Sequence, residues 1–456
     1  LTAPNADYLG MANQYASGRP SSSDSKNRRV GGIGMINYTY DHRFFVDGSI
    51  KIEGSSQFGA DRRMAPFWSV GAGWNVNNEK FLKDQQILST FRLRLSYGST
   101  GSQGFNSYQA VTTYKSVDGK GYNGSYGVLL MGLGNPDLGW QKTNQLNGGF
   151  ELGFLENRFR LNFDAYSKIT NDLLTDIYLP TASGFESYKA NVGKVSNMGY
   201  EVTLNCAIFK SIDPKGFFLS IGTSAFHNVN KVKKISNSIA FLNDKILSEA
   251  GVNPSFLYKE GESMNTIYAV KSLGIDPGNG KEIFVTRDGS LSYVWDANDQ
   301  VPCGNTDPMI SGNLNVNVTY KNITLNAIFG YTYGGQNYNY TLVGKVENID
   351  PAKNADRRVL YDRWRNPGDI VSYKGVDNKT TTKASSRFVM DDNIFELRNV
   401  SLSYVLPTEW TDKFGIGRVF ISANTEDLFR ISSIKQERGL AYPFSRKFSF
   451  SLTATF

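Results

Sequence analysis

Long apolar segments are missing from this sequence of 456 residues. No apolar run approaches the ~18 residues of a membrane-spanning helix, so a transmembrane helix is excluded. A transmembrane β-barrel is not excluded, because its strands are only ~9–11 residues long and alternate apolar with polar residues. Residues 1–20 have neither the charged start nor the apolar core of a signal peptide. Because a barrel needs export, we expect that a signal was cleaved or that the chain starts within a longer protein.

Cysteine and histidine are also scarce. Cys206 and Cys303 are far apart and have no metal-type spacing, so free thiols are favoured over a disulfide, the alternative. His42 falls in a predicted tight turn and His227 at a predicted strand end, which favours structural roles over catalysis. The motifs G-x-S-x-G and H-E-x-x-H are absent. The sequence therefore predicts a protein that is not an enzyme.

Charged residues give no clear cofactor or nucleic-acid site. The net charge of +7 suits simple solvation or, alternatively, contact with anionic outer-membrane lipid and lipopolysaccharide. No basic run is interleaved with aromatic residues, so nucleic-acid binding is not expected. Four carboxylates in one Gly-rich stretch could chelate calcium, but they lack EF-hand spacing, and turn formation explains them better: Asp276, Asp288, Asp296 and Asp299. No cofactor and no other metal is expected.

What the sequence does contain is Gly, Tyr and Phe in large numbers, with 13% aromatic residues. Tyr and Phe suit a pleated, half-buried surface. Apolar residues recur at every second position along the chain: Val46 and Ile50, for example, alternate with Asp47 and Lys51. Each such segment has one apolar and one polar face. Thirteen strands are predicted, at 33–40, 43–54, 67–76, 91–97, 145–154, 158–168, 198–208, 217–226, 310–320, 323–331, 394–406, 417–424 and 444–456.

The connections between these strands alternate in length. Shorter connections are predicted at 41–42, 77–90, 155–157, 209–216, 321–322 and 407–416. Longer ones are predicted at 55–66, 98–144, 169–197, 227–309, 332–393 and 425–443. Short periplasmic turns and long extracellular loops are typical of an outer-membrane barrel, whereas structureless loops beyond ~15 residues are rare in soluble domains such as β-sandwiches. The sequence therefore predicts an all-β fold, a transmembrane antiparallel β-barrel.

The last predicted strand alternates apolar with small polar residues and ends on Phe. This pattern resembles the C-terminal signal that the barrel-insertion machinery reads, and an ordinary final strand is the alternative; its apolar positions are Phe448, Phe450, Leu452 and Phe456. If Phe456 ends in the periplasm, residues 1–32 form an extracellular loop. Because single-chain bacterial barrels have an even strand number, an odd number of strands is then expected upstream. Residues 1–456 are thus predicted to be the C-terminal part of a barrel.

Aromatic rings and amides concentrate in the long connections. Tyr338 and Tyr340 lie in a stretch rich in Gly, Asn and Gln, and Trp295 and Trp364 lie in long predicted loops. Rings can stack on the apolar faces of sugars or peptides while amides hydrogen-bond them, which fits a binding vestibule. These four residues are predicted to contact ligand. The alternative is that the rings pack the loops themselves.

Several motifs occur in the order found in one known family. The segment Glu53-Gly-Ser-Ser-Gln-Phe58-Gly59, followed by Pro66 and Trp74, resembles the "D-G-S-S-x-F-G" loop and "F-P-S-x-x-x-x-W" strand of SusC/RagA-type TonB-dependent transporters. Four further segments are similar to successive strands of that family: LRLSYGSTGSQG (93–104), NPDLGWQKTNQLNGGFELGFLENRF (135–159), GKVSNMGYEVTLN (193–205) and FELRNVSLSYVLP (395–407).

The sequence departs from the family pattern at three places. Glu53 stands where the family usually has Asp, and Phe67-Trp68-Ser69 follows Pro66 where the family has "P-S". The family commonly reads "N-L-F" where this chain has Asn424-Thr-Glu-Asp-Leu428-Phe429, which leaves the local strand register open.

The resemblance implies active import of a nutrient oligomer, a glycan or a peptide, across the outer membrane of a Gram-negative bacterium of the Bacteroidota. It implies a barrel of about 22 strands with a periplasmic plug, so that roughly nine strands and the plug lie upstream of this chain. It also implies a SusD-like surface lipoprotein as a lid that the loop rings contact, TonB bound through the upstream region, and a dimer of SusC–SusD pairs. A passive pore or surface adhesin without energy coupling is the alternative function.

Overall fold

The computed structural model describes residues 25–82, 85–104, 106–122, 125–179, 184–185, 187–211, 213, 216–235, 237–350, 352–353, 355–435 and 445–456. Thirteen strands in these ranges form one antiparallel sheet, in which neighbours in the sheet are also neighbours in the order of these strands along the chain. They are β1 (Arg29–Tyr40), β2 (Phe44–Ser55), β3 (Met64–Asn75), β4 (Leu88–Ser102), β5 (Gln141–Phe154), β6 (Phe159–Asn171), β7 (Lys194–Lys210), β8 (Phe218–Lys234), β9 (Ile310–Tyr320), β10 (Ile323–Tyr333), β11 (Ile394–Val405), β12 (Arg418–Ser432) and β13 (Phe448–Thr455). These correspond one to one with the thirteen predicted strands, so the all-β prediction is confirmed.

Several strands extend further than predicted at the edge that carries the long connections. β8 continues to Lys234, where it pairs with Lys194 of β7, although the prediction ended it at 226. The predicted loops at 98–144, 169–197, 227–309 and 332–393 are corrected to 103–140, 172–193, 235–309 and 334–393, and β12 continues past 424 to Ser432. The hydrogen-bonded ladder continues where strict alternation is lost, and the hydropathy pattern cannot report such residues. Two parts of the predictions lie outside the described residues. One is residues 1–24, in the predicted loop at 1–32. The other is residues 436–444, which cover the end of the predicted loop at 425–443 and the start of the last predicted strand.

The two faces of the sheet differ in chemistry, as the alternation predicted. On one face the register places Val46 of β2 beside Tyr38 of β1 and Ala72 of β3. On the other face, Arg94 of β4 donates to the carboxylate of Asp164 of β6 across the strand between them. The apolar side chains of the first face are widely exposed, as Ile36 is at 71%. Such a continuous exposed apolar face fits the lipid-facing side of a transmembrane barrel.

The register shifts where the chain departs from the family motif near Asn424. Leu397 of β11 pairs with Phe429 of β12, but Asn399 pairs with Glu426, so β12 contains an extra residue. Asp427 takes the left-handed conformation at φ 54°. This is a β-bulge, which re-aims the side chains that follow it.

The short connections lie at one edge of the sheet and the long ones at the other, because successive strands run in opposite directions. We call the second the long-connection edge. It carries the helix α1 (Asn237–Ser248) and the strand pairs Thr113–Tyr122 with Ser125–Gly132 and Leu174–Tyr178 with Ser187–Asn191. The helix α2 (Thr408–Thr411) follows β11 at the opposite edge. Among the described residues, no helix is long and apolar enough to cross a membrane.

A small core at the long-connection edge joins the 56–63 connection to the 103–140 connection. The ring of Trp140 lies 4.4 Å from that of Phe58 and 5.3 Å from that of Phe67, between ring centroids. Its indole N–H donates to the carbonyl of Arg63 at 3.0 Å. The backbone of Gly59 approaches closely, with its N–H donating to the carbonyl of Leu138 at 2.8 Å. These contacts hold the longer connection against the rim of the sheet.

Candidate functional site

The two longest connections, 235–309 and 334–393, pack against each other at the long-connection edge. The first contains a four-stranded sheet formed by Thr266–Ile275, Glu282–Val285, Leu291–Ser292 and Gln300–Asn305. The backbone N–H of Val270 in this sheet donates to the carbonyl of Ala384 at 3.3 Å. The N–H of Ser272 donates to the hydroxyl of Ser386 at 3.0 Å. The two connections are thereby joined as one folded unit.

The second connection has its own apolar core. Tyr338, in the short strand pair Gln336–Tyr338 with Val389–Asp391, packs with Val343, Ala384 and Phe388. A π-helical turn at Leu342–Glu347 follows and buries Val346 and Glu347. The core therefore brings a carboxylate into the interior of the connection.

Arg387 neutralises that carboxylate together with a second one from the first connection. Its Nη2 lies 2.9 Å from Oε2 of Glu282 and 2.6 Å from Oε1 of Glu347. All three side chains are at most 10% exposed. Burial lowers the pKa of Arg387, but the charges of Glu282 and Glu347 outweigh it and raise the pKa above its usual value. The guanidinium is therefore charged and links the two connections.

Two further cations are buried beside this triad. Arg363 donates to backbone carbonyls, including that of Lys374 at 2.6 Å. The ammonium of Lys374 donates to Oδ1 of Asn348 at 3.0 Å and to the carbonyl of Thr380. Within the described ranges, neither cation forms an ion pair with a carboxylate. Burial lowers the pKa of both groups, since desolvation disfavours their charged forms.

A cleft of about 490 Å³ opens between the two connections, above the triad. Both connections line the cleft. The residues from the first are Lys281, Glu282, Phe284, Tyr293, Val294 and Trp295. Those from the second are Glu347, Lys374, Asn378, Thr380, Thr381, Thr382 and Lys383. The walls thus combine rings, hydroxyls, an amide, ammonium groups and the two carboxylates that Arg387 neutralises. This composition is typical of a site for a polar organic ligand.

The structure places the predicted aromatic residues at different points of this unit. Trp295 lines the cleft, and its indole N–H donates to the carbonyl of Ala384 at 2.8 Å, which fixes the ring against the second connection. Trp364 donates to the carbonyl of Pro277 at 3.0 Å and packs on the backbone of Gly280. Both rings are half-buried. Both therefore help to join the connections, and ligand contact stays a prediction for each.

The predicted pair of tyrosines is divided by burial. Tyr338 is 3% exposed, whereas Tyr340 is 52% exposed and meets the Tyr338 ring edge-on at 5.1 Å between centroids. Burial raises the pKa of the Tyr338 phenol. Packing of the connection itself accounts for the position of Tyr338. This is the alternative to ligand contact that the sequence left open for the loop rings. Tyr340 remains accessible, and its contact with a ligand stays a prediction.

The four loop aspartates accept hydrogen bonds from nearby groups. Asp276 accepts from the N–H of Gly278 at 2.8 Å, and the hydroxyl of Tyr293 is the first cause that lowers its pKa. Asp288 accepts from Thr286 and Ser290, which lower its pKa to about 2. Asp296 caps a short helical turn, and Asp299 accepts from the N–H of Arg287 at 2.8 Å. In the part of the chain that the structure describes, no three His, Cys, Asp or Glu side chains gather as a metal site would require.

The cysteines and histidines lie outside the cleft. Cys206 and Cys303 are both free thiols. The carbonyl of His42 accepts hydrogen bonds from the amides of Asn75 and Asn78 in a turn. Nδ1 of His227 lies 2.6 Å from the carbonyl of Met309. The contacts of His42 involve its backbone carbonyl, so a structural role for both imidazoles stays a prediction.

The C-terminal strand lies at one end of the sheet and, in the part of the chain that the structure describes, pairs with β12 alone. Phe448, Phe450 and Leu452 project from it at 62–80% exposure, and Phe456 is 90% exposed. Their register with Thr425, Ala423 and Ile421 places the first three on the apolar face. Recognition of these residues by the insertion machinery stays a prediction.

Comparison with known proteins identifies the family. Residues 2–357 match the family described as "TonB dependent receptor-like, beta-barrel", which is more than half of the chain. The chain belongs to this TonB-dependent receptor family. The family is an outer-membrane family of β-barrel transporters rather than enzymes. The resemblance stated from the sequence motifs is thereby confirmed.

Relatives within the family include proteins of two bacteria. The chain is 27% identical to "TonB-dependent receptor P39" of Formosa agariphila, over 87% of this chain and 42% of that protein. It is 26% identical to "TonB-dependent receptor SusC" of Bacteroides thetaiotaomicron, over 94% of this chain and 43% of that protein. The chain thus spans less than half the length of these curated relatives.

Solved structures share the fold. One is the "RagAB peptide importer in the 'open-open' state", with a TM-score of 0.79 and 23% identity over 98% of this chain and 49% of that chain. Another is the same importer in the "'closed-closed' state", with a TM-score of 0.79 and 24% identity over 94% of this chain and 48% of that chain. At this identity the likeness shows the fold alone.

Sequence reasoning missed the charged residues of the cleft. Glu282 and Arg387 lie 105 residues apart, in connections without a periodic pattern, so nothing local indicates that they meet. The run Asn378-Lys-Thr-Thr-Thr382-Lys383 does carry a signal, because closely spaced ammonium and hydroxyl groups suit a polar ligand.

Proposed function

We propose that this chain forms the C-terminal part of the barrel wall and much of the outer vestibule of a TonB-dependent importer of nutrient oligomers, glycans or peptides. The observation that carries the proposal is the arrangement of the connections in a chain of this family. The two longest connections form one folded unit around a polar and aromatic cleft, all at the same edge of the sheet. This arrangement fits a vestibule that captures an oligomer before transport.

The orientation of the sheet follows from the same proposal. Long connections of outer-membrane barrels lie outside the cell, and short turns lie in the periplasm. The long-connection edge, with the cleft, therefore faces the exterior. Within the described residues, β1 and β13 each pair on one side only, and these edges need further strands, because unpaired backbone groups cannot face lipid. We assign these strands, the plug and the TonB-binding segment to the rest of a longer protein.

The partners are proposed from the relatives. SusC and RagA-type proteins work with a surface lipoprotein, and we assign to this chain a SusD-like lipoprotein that closes over the long-connection edge. Tyr340, Trp295 and Trp364 are the rings of this edge that we expect to contact ligand or lid. A dimer of such pairs, and contact of the basic surface with lipopolysaccharide, belong to the same proposal.

Uptake measurements test the proposed function. Cells that produce the full-length protein are expected to accumulate labelled oligosaccharides or peptides, and to lose that uptake when TonB is deleted. The triple variant Trp295→Ala, Tyr340→Ala, Trp364→Ala is expected to lower uptake, whereas Trp410→Ala, an exposed ring at the short-connection edge, is not. Uptake that persists without TonB would instead indicate a passive pore, and surface binding without uptake would indicate an adhesin.

A further inference from the structure

The buried charges beneath the cleft do not balance. Arg363, Lys374 and Arg387 contribute three cations, while Glu282 and Glu347 contribute two carboxylates, both engaged by Arg387. Arg363 is 4% exposed and Lys374 is 6% exposed. A buried charge without a counter-charge is costly, and an anion that enters the site removes that cost. The cluster therefore has one positive charge in excess.

The excess charge lies where a ligand can reach it. Lys374 lines the cleft, and its ammonium donates to Asn348 and Thr380, two partners for its three protons within the described chain. One N–H therefore remains to bind a ligand. Burial lowers the pKa of Lys374, and a bound anion would raise it again.

Two exposed lysines on the walls add to this positive site. The ammonium of Lys383 lies 5.7 Å from the ring centroid of Trp295, and that of Lys281 lies 5.9 Å from the ring centroid of Tyr293. Each lysine therefore presents a cation beside an aromatic surface, and no carboxylate pairs with either within the described residues. Together with Lys374, they give the lining of the cleft three ammonium groups, the kind of donor that binds an anion.

We propose that this cleft binds an acidic oligosaccharide, whose carboxylate or sulfate group is held by Lys281, Lys374 and Lys383. Tyr293 and Trp295 supply rings for the apolar faces of the sugar, and the exposed hydroxyls of Thr380 and Thr381 supply hydrogen-bond partners for its hydroxyl groups. The inference rests on the proposed import function and names the substrate class of its vestibule.

Binding measurements on the purified full-length protein test the inference. Isothermal titration calorimetry is carried out with four probes of matched length: a galacturonate hexamer, a sulfated carrageenan hexamer, maltohexaose and hexaglutamate. We expect at least one acidic oligosaccharide to bind about tenfold or more tightly than maltohexaose and hexaglutamate, and its affinity to fall as salt is added.

Matched variants locate the site. Lys281→Ala with Lys383→Ala is expected to weaken binding of the acidic oligosaccharide by about tenfold or more, with maltohexaose little affected. Lys345→Ala, an exposed lysine of the same connection outside the cleft, is expected to have no effect. Because the double variant changes exposed side chains only, it should fold, and an unchanged melting temperature checks this. Lys374→Met removes the buried charge and should remove the preference for acidic over neutral sugars.

Any one of four outcomes of these binding measurements would overturn the inference. These outcomes are failure of both acidic oligosaccharides to bind, equal affinity for maltohexaose, equal or tighter binding of hexaglutamate, and normal binding by the double variant. TonB-dependent uptake of neutral oligomers or peptides would then still support the proposed import function. Binding of acidic sugars without any TonB-dependent uptake would instead retain this inference and contradict the import proposal.

Discussion

Arg387 reaches Glu282 across two different connections, with Nη2 of the guanidinium 2.9 Å from Oε2 of the carboxylate. The same guanidinium binds Glu347, so a single side chain neutralises two carboxylates that are almost fully buried. Arg387 therefore adds a charged link to the backbone and indole hydrogen bonds that join the 235–309 and 334–393 connections. Removing one member of a buried ion pair leaves the others as uncompensated charges.

We expect Arg387→Met to destabilise the packing of these two connections by about 3–5 kcal/mol, the typical cost of breaking a buried pair. Limited proteolysis of the folded protein measures this, and cleavage within the two connections should accelerate while the barrel strands stay resistant. Arg365→Met is the matched control, because Arg365 is exposed and donates to the carbonyl of Leu360. Equal cleavage rates for the two variants would contradict the structural role of Arg387.

We expect Gly59→Ala to disturb the core that holds the 103–140 connection. A Cβ at Gly59 would lie 1.8 Å from the carbonyl oxygen of Pro136, a backbone atom that cannot move alone. Overpacking of this kind costs about 1–3 kcal/mol. The environment of Trp140, measured by its fluorescence in a variant without the other tryptophans, should become more polar. Gly104→Ala has open space around the new Cβ and should leave the signal unchanged.

We expect Val316→Arg to impair barrel assembly, whereas Asn315→Arg is tolerated. The two residues are neighbours on β9 and project from opposite faces, Val316 from the apolar face beside Ile221 and Ala327. An arginine on the lipid face near the membrane midplane costs about 2–4 kcal/mol. Heat-modifiable migration on gels and urea unfolding in lipid vesicles measure the difference. Similar behaviour of the two variants would mean that the faces are wrongly assigned.

We expect Glu79→Gln to lower the melting temperature at neutral pH. In the 76–87 connection, Glu79 accepts hydrogen bonds from Trp74 and Arg43, each at 3.0 Å, and these lower its pKa below the usual 4.5. A lowered carboxyl pKa adds stability above pH 4.5, and that stability is lost as the pH falls through the folded-state pKa. The difference between variant and parent should therefore shrink below pH 4.5.

The control for this pH dependence is Glu249→Gln. Glu249 follows α1 and is exposed, so the Glu249→Gln variant should show the parent's melting temperature at every pH. A difference for Glu79→Gln that stays constant from pH 7 to acid would mean that the carboxylate charge is not the cause.

Most of the sheet was predictable from the sequence, because alternation is a local property. Val46, Asp47 and Ile50 already show which side chains share a face, and the structure confirms the order of all thirteen strands. The ends of the strands at the long-connection edge were wrong by several residues. Lys231 and Lys234 of β8 continue the ladder without any apolar partner, so no hydropathy pattern marks them.

The site was predictable only in part. Trp295 was identified from its position in a long connection, and it does line the cleft. Tyr338 was identified by the same reasoning but is buried in a small core. Many aromatic rings in a connection indicate that it either packs around a core of its own or binds a ligand. The number of rings cannot separate these two roles, because the apolar surface of a ring suits both.

The sequence by itself determined the strands, their two faces, their order and the family, since each depends on residues within about ten positions of each other or on motifs of that size. The tertiary structure alone decided which side chains of the long connections meet. Glu282, Lys374 and Arg387 come together because two connections fold onto each other, which depends on packing and on long-range closure of the chain rather than on any local periodicity. The charge of the cleft is therefore a property of the fold.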